Sequence, residues 1–156
     1  MKKIILKALL FFGIISALGC NQQEKIINYK GENFSLSYPA SWQTTNDDGI
    51  LNFFPIESYG AVTISSYKGI TFPIEKTKEL ILETNKVKDN PEHVIMIKKQ
   101  DVVEFYYENV DDTLKWVTRA IRKNTDFYLI TINCELKRWE SNKASFTKVL
   151  ESFKLN

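Results

Sequence analysis

The sequence predicts an α+β fold, an α/β/α sandwich in which an antiparallel sheet of about six or more strands carries helices on both faces. Most of the chain after residue 30 consists of short alternating apolar and polar segments, separated by turns rich in Asp, Asn, Gly and Pro. Two other segments space their apolar residues three or four positions apart, which is the period of a helix. The last four strand segments are joined by linkers of three or four residues, which are too short for crossover connections and therefore make neighbouring strands antiparallel.

The clearest strand signal is the alternation of Phe34, Leu36 and Tyr38 with two serines. Side chains two apart lie on the same face of a strand, so these three residues form an apolar face. Pro39 has no N–H group for a sheet hydrogen bond and ends the strand. The chain then turns a corner that Trp42 can fill.

The remaining elements follow in order. The first helix begins at Pro73 and is predicted to bury Ile74, Thr77, Leu80, Ile81, Thr84 and Val87. The second helix starts at Leu136 and closes the chain through Phe153. The other predictions are a possible strand at Ile26, Ile27 and Tyr29, a turn at 44–49, and strands at 50–54, 61–67, 93–97, 102–109, 114–123 and 127–134.

The hairpin formed by residues 102–109 and 114–123 provides an internal test of this assignment. If residues 110–113 form its loop, Asn109 pairs with Leu114 and one face of the hairpin is apolar. The other face then carries two pairs of opposite charge, Glu108 with Lys115 and Glu104 with Arg119. We interpret these as exposed cross-strand pairs rather than as a candidate functional site.

The first 19 residues have the order of a secretory signal. Lys2 and Lys3 precede an apolar run over residues 8–18, and small residues lead to Cys20. The run is much shorter than the ~20 apolar residues of a membrane-spanning helix. We therefore predict a signal peptide at 1–19, a tether at 20–30 and one folded domain at 31–156.

Gly19 and Cys20 resemble the lipobox of bacterial lipoproteins, in which the cysteine receives acyl chains such as palmitate and becomes the new N-terminus. The lipobox prefers Leu three positions before the cysteine, where this chain has Ala17. The resemblance implies lipidation at Cys20 and anchoring to membrane lipid in the bacterial cell envelope. The alternative is an ordinary signal peptide followed by an incidental cysteine.

The charge balance argues against nucleic acid as a partner. Three of the 21 Lys and Arg residues lie in the predicted signal, which leaves 18 basic residues against 19 acidic ones. A chain with no excess of positive charge and no zinc-finger or helix-turn-helix pattern is a poor match for a phosphate backbone.

The order strand, Pro39, two residues and Trp42, together with the close at Ser152 and Phe153, resembles the Mog1p/PsbP-like family. The similarity extends over residues 29–155 and is to the bacterial lipoprotein branch of unknown function. It implies a small α/β/α sandwich that acts by binding a protein partner in the envelope, as an accessory domain without catalysis.

The sequence also contains no set of residues that is typical of a catalytic site. His93 is the single histidine, and Cys134 is the single cysteine beyond Cys20. We therefore expect no cofactor, no metal site and no enzymatic activity. The alternative is an envelope enzyme or small-ligand carrier whose pocket lies between the sheet and one helix and uses Cys134 or His93. Three aromatic residues were also candidates to line a binding groove: Trp42, Tyr59 and Tyr106.

Overall fold

The computed structural model describes residues 24–57, 60–87, 96–99 and 102–156. Its helices are α1 (Thr77–Thr84) and α2 (Trp139–Ser152), each preceded by a single 3-10 turn. The strands are β1 (Ile26–Lys30), β2 (Phe34–Pro39), β3 (Trp42–Asp47), β4 (Ile50–Pro55), β5 (Gly60–Tyr67), β6 (Met96–Lys99), β7 (Val102–Val110), β8 (Leu114–Lys123), β9 (Asp126–Glu135) and β10 (Lys154–Leu155).

The strands form two sheets. The larger sheet has seven strands in the order β3-β4-β5-β9-β8-β7-β6, and the smaller has three in the order β1-β2-β10. All strand pairs are antiparallel. Helix α2 and the small sheet cover one face of the large sheet, and α1 covers the other. The predicted sandwich with helices on both faces of an antiparallel sheet is therefore confirmed.

The core between the large sheet, the small sheet and α2 is the larger of the two. It is built around aromatic side chains that come from all three layers. The ring of Phe153 lies 5.1 Å from that of Phe34 in β2 and 5.8 Å from that of Tyr128 in β9. Phe146 of α2 packs at 5.2 Å from Trp42, which fills the corner after Pro39 as predicted.

The second core lies under α1, where Leu82 packs with Phe105, Ala120 and Phe127 of the large sheet. The set of residues predicted to be buried on α1 was partly wrong. Leu80 is 36% exposed, whereas Leu82 is buried. The helix begins with a 3-10 turn, whose tighter winding rotates the following residues relative to a continuous α-helix.

The segment after Trp42 also differs from the prediction. Residues 44–47 belong to strand β3, and the turn is confined to Asp48 and Gly49. Both turn residues have positive φ, 51° and 84°, which suits a tight hairpin. Because β3 is an edge strand whose side chains after Trp42 are all exposed, it lacks the alternation that identifies a strand.

The β7–β8 hairpin has a register two residues away from the predicted one, with Val110 opposite Lys115. The Asp111 carboxylate accepts hydrogen bonds from the N–H groups of Thr113 and Leu114, both at 2.7 Å, and this tightens the loop. A shift of two residues leaves every side chain on its predicted face.

Replacing Gly60 by Ala is expected to lower the free energy of unfolding by about 2 kcal/mol. A Cβ atom there would lie 2.6 Å from the Asn133 carbonyl oxygen and 3.1 Å from the Cys134 Cα. Urea denaturation measures the loss, with Ser66→Ala as the control at an exposed position of the same strand. Equal stability of the two variants would contradict the close approach of β5 to β9.

Candidate functional site

A groove of about 580 Å³ lies between the small sheet and α2. Strands β1 and β2 form one side, and one face of α2 forms the other. Its lining residues are Glu24, Ile26, Ser37, Tyr38, Pro39, Ser141, Ala144, Ser145, Lys148 and Val149.

The two sides of the groove are joined by Ser152 at the end of α2. Strand β10 pairs with β2 only at Phe34 and Ser35, so beyond that point β2 needs another partner. The Ser37 N–H donates to the Ser152 hydroxyl at 2.9 Å, and the same hydroxyl lies 3.0 Å from the Ser37 carbonyl oxygen. A side chain of α2 thus continues the pairing of β2, and this fixes the base of the groove.

The groove is lined by both apolar and charged side chains. Ile26 is 53% exposed, although it is a large hydrophobic residue. On the other side, α2 presents small side chains at 141, 144 and 145, which leave space above the helix backbone. Glu24 and Lys148, of opposite charge, also line the groove. Apolar surface together with polar and charged side chains is the usual composition of a protein–protein contact.

Of the two charge pairs predicted to be exposed on the β7–β8 hairpin, one is partly exposed and one is largely buried. Glu108 and Lys115 form an ion pair in which 42% and 18% of the side chains are exposed. Arg119 and Glu104 form an ion pair at 2.7 Å, with only 14% and 17% of their side chains exposed. Helix α2 covers this face, and Arg119 donates to the carbonyl oxygens of Leu150 and Phe153 at 3.2 and 3.0 Å. The cluster therefore holds the C-terminal end of α2, where a cation is favoured by the helix dipole.

Two of the three aromatic candidates, Tyr106 and Trp42, contact other residues of the domain instead of lining a groove. The Tyr106 hydroxyl donates to Glu104 at 3.1 Å, and burial raises the pKa of this tyrosine. Trp42 is buried in the larger core. The third candidate, Tyr59, lies outside the described residues.

Cys134 is fully buried between the large sheet and α2. Burial raises the pKa of its thiol, which disfavours the thiolate that a nucleophile requires. His93 and the predicted lipidation site Cys20 lie outside the described residues, as does the predicted signal peptide at 1–19.

Among residues 24–57, 60–87, 96–99 and 102–156, no group of three or more His, Cys, Asp or Glu side chains is arranged to hold a metal ion. No helix in the same ranges is both long and apolar enough to cross a membrane.

The lining residues of the groove were not identified from the sequence, because they come from three separate segments. The signal that could have indicated it is the spacing of Ser141, Ala144, Ser145 and Lys148 on one face of the second helix, where large apolar residues are absent. That spacing gives no indication that β1 and β2 lie beside it.

Comparison of the fold with solved structures gives two informative matches. The solution structure of cyanobacterial PsbP (CyanoP) from Synechocystis sp. PCC 6803 has a TM-score of 0.59 and 14% sequence identity, covering 92% of this chain and 100% of that one. A crystal structure of a Bacteroides thetaiotaomicron protein has a TM-score of 0.58 and 17% identity over 86% of this chain. This chain spans about half of the Bacteroides protein, since the match covers 49% of its length.

No protein-family model matches the sequence, and no curated protein matches it. The predicted resemblance to PsbP-like proteins is thus confirmed by the shared fold.

Proposed function

Starting from this PsbP-like fold, we propose that the chain is a lipid-anchored protein of the bacterial cell envelope whose domain binds a protein partner and performs no catalysis. The anchor is Cys20, acylated after removal of residues 1–19. Two or more acyl chains provide stable attachment to a membrane surface. The groove between the small sheet and α2 is the proposed binding surface.

The observation that carries this proposal is the position of the groove relative to the anchor. The groove begins at Glu24, four residues after Cys20 in the sequence. Four residues of fully extended chain span at most about 14 Å. An acylated Cys20 would therefore hold the groove close to the lipid headgroups, where a membrane-embedded protein can reach it.

The chemistry of the groove specifies the kind of partner. An apolar side chain of the partner would enter between Ile26 and the small residues of α2, and polar groups would meet Glu24 and Lys148. The buried thiol of Cys134 gives no support to the alternative of an enzyme that uses this cysteine.

Lipidation is tested separately from partner binding. Cells that express the chain are treated with globomycin, which inhibits lipoprotein signal peptidase, and the N-terminus is analysed by mass spectrometry. We expect a mature protein that begins at an acylated Cys20 without the inhibitor and an uncleaved precursor with it. A mature protein with an unmodified N-terminus would refute the anchor.

Replacing Ala144 by Arg is expected to abolish partner binding, because the long charged side chain would fill the groove. A photo-crosslinking amino acid at position 145 should give one discrete adduct in the membrane fraction. This adduct should disappear in the Ala144→Arg variant and in a Cys20→Ser variant that cannot be acylated.

The matched control is Leu80→Arg, which places the same side chain at an exposed position on α1, across the large sheet from the groove. It should leave the adduct unchanged. An adduct that persists in Ala144→Arg, or that Leu80→Arg also removes, would refute the groove as the binding surface.

A further inference from the structure

A second cavity, of about 220 Å³, lies where the β8–β9 turn meets the beginning of β2 and the end of β10. It is separate from the groove and shares no lining residue with it. Polar side chains form most of its wall. They include Asn33, Lys123, Asn124, Thr125, Asp126 and Asn156.

Tyr128 is the unusual member of this wall because it is only 3% exposed. Its ring is held in the larger core, 6.1 Å from the ring of Phe34 and 5.8 Å from that of Phe153. Its hydroxyl has no hydrogen-bond partner among the described residues, and the oxygen itself is not fully enclosed by them. Because the ring is enclosed by apolar residues, the hydroxyl is the polar group that Tyr128 offers to the cavity.

The backbone around the cavity is fixed on both sides. In the β8–β9 turn, the Asn124 carbonyl oxygen accepts a hydrogen bond from Arg122 Nε at 2.9 Å, and the Thr125 carbonyl oxygen accepts one from the Ile70 N–H at 2.9 Å. On the other side, the Asn156 N–H donates to the Asn33 carbonyl oxygen at 3.0 Å. A cavity with fixed walls loses little conformational freedom when a ligand binds.

The side chains in the wall indicate a ligand without net charge. Lys123 and Asp126 contribute one charge of each sign, and neither has an ion-pair partner among the described residues. The amides of Asn33 and Asn124 and the hydroxyl of Thr125 can each donate and accept hydrogen bonds. The volume is below the ~300–1,000 Å³ that is usual for drug-sized ligands.

From this arrangement we infer that the cavity binds a small, uncharged, polyhydroxylated ligand of the size of one sugar ring, with the Tyr128 hydroxyl as a hydrogen-bonding group at its base. Hydroxyl groups of a sugar pair well with amides, because both donate and accept. Burial also raises the pKa of Tyr128, so the phenol keeps its proton at neutral pH. The ligand is either a free monosaccharide or the terminal residue of a glycan.

The test uses the full-length protein in a detergent without a sugar headgroup. Saturation-transfer NMR and calorimetry are carried out with glucose, galactose, mannose and N-acetylglucosamine, and with glucose 6-phosphate and glucuronate as charged comparators. We expect at least one neutral sugar to bind in preference to both charged ones. Oligosaccharides that end in the same sugar distinguish a glycan terminus from a free monosaccharide, since only a glycan site retains affinity for them.

The decisive variant is Tyr128→Phe, which removes one oxygen and leaves the ring in place. Loss of one ligand hydrogen bond should weaken binding about tenfold. The thermal unfolding midpoint should change by less than about 2 °C, because the hydroxyl has no protein partner to lose. Tyr107→Phe is the control: Tyr107 lies in the second core under α1, away from the cavity, so this variant should bind the sugar normally.

Three results would overturn the inference: no binding of any neutral sugar to the wild-type protein, unchanged affinity in Tyr128→Phe, or tighter binding of the charged comparators. The Ala144→Arg variant should keep full sugar affinity, since its groove is elsewhere. Failure of the proposed protein-binding function and failure of the sugar site can therefore be told apart.

Discussion

The Phe153→Ala variant is expected to lose about 4 kcal/mol of unfolding free energy, the largest effect of any substitution considered. The Phe153 side chain is 1% exposed and contacts the rings of Phe34 and Tyr128 in two different sheets. Its removal would leave a cavity at the point where α2, β2 and β9 meet. Urea denaturation followed by circular dichroism measures the change.

Ile56→Ala provides the control, because Ile56 is an apolar residue that is 68% exposed. This substitution should lower the free energy of unfolding by less than about 0.5 kcal/mol. If the two variants were equally stable, the aromatic cluster around Phe153 would not be the packing centre that the structure shows.

The Arg119→Met variant is expected to lose about 3 kcal/mol of unfolding free energy, since it leaves the largely buried Glu104 carboxylate without its cation. It also removes the hydrogen bonds to the Leu150 and Phe153 carbonyl oxygens at the end of α2. The measurement is again urea denaturation, with hydrogen exchange of the α2 amides as a local readout. Those amides should exchange faster in the variant.

Two further variants separate this effect from the general loss of a charge. Lys143→Met breaks an exposed ion pair with Glu140. It should lower the free energy of unfolding by less than about 1 kcal/mol. Adding Glu104→Gln to Arg119→Met should recover part of the stability, because the unpaired carboxylate is then gone. A cost for Arg119→Met no larger than that for Lys143→Met would refute the role of Arg119 at the end of α2.

The fold was predictable from the sequence wherever one face of an element is buried. Phe34 and Leu36 alternate with polar residues because β2 packs on the larger core with one face only. The hairpin of β7 and β8 was assigned to its correct faces for the same reason. Strand β3 was missed because an exposed edge strand leaves no periodic pattern in the sequence.

The errors in detail arose from side-chain contacts that the alternation of apolar and polar residues does not encode. The burial of Arg119 and Glu104 depends on α2, which begins 20 residues after Arg119 and folds back over this face. The register of the same hairpin depends on one side chain, Asp111, which takes part in the turn. Neither effect is contained in the local alternation of residue types.

The residues that line the candidate surfaces were not predictable from the sequence. The groove joins residues near 24–39 to residues near 141–149, and the polar cavity joins Asn33, Tyr128 and Asn156. No short motif links such positions, because the folded backbone alone brings them together. The anchor at Cys20, on which the proposed function depends, is a prediction from the sequence.

The pairing of β10 with β2 also has a consequence for how the molecule forms. Ser35 of β2 is paired with Lys154 of β10, so the small sheet is incomplete until β10 is present. Folds whose contacts join distant parts of the chain form slowly. A growing polypeptide would therefore leave one edge of β2 unpaired until residue 155 has been synthesised.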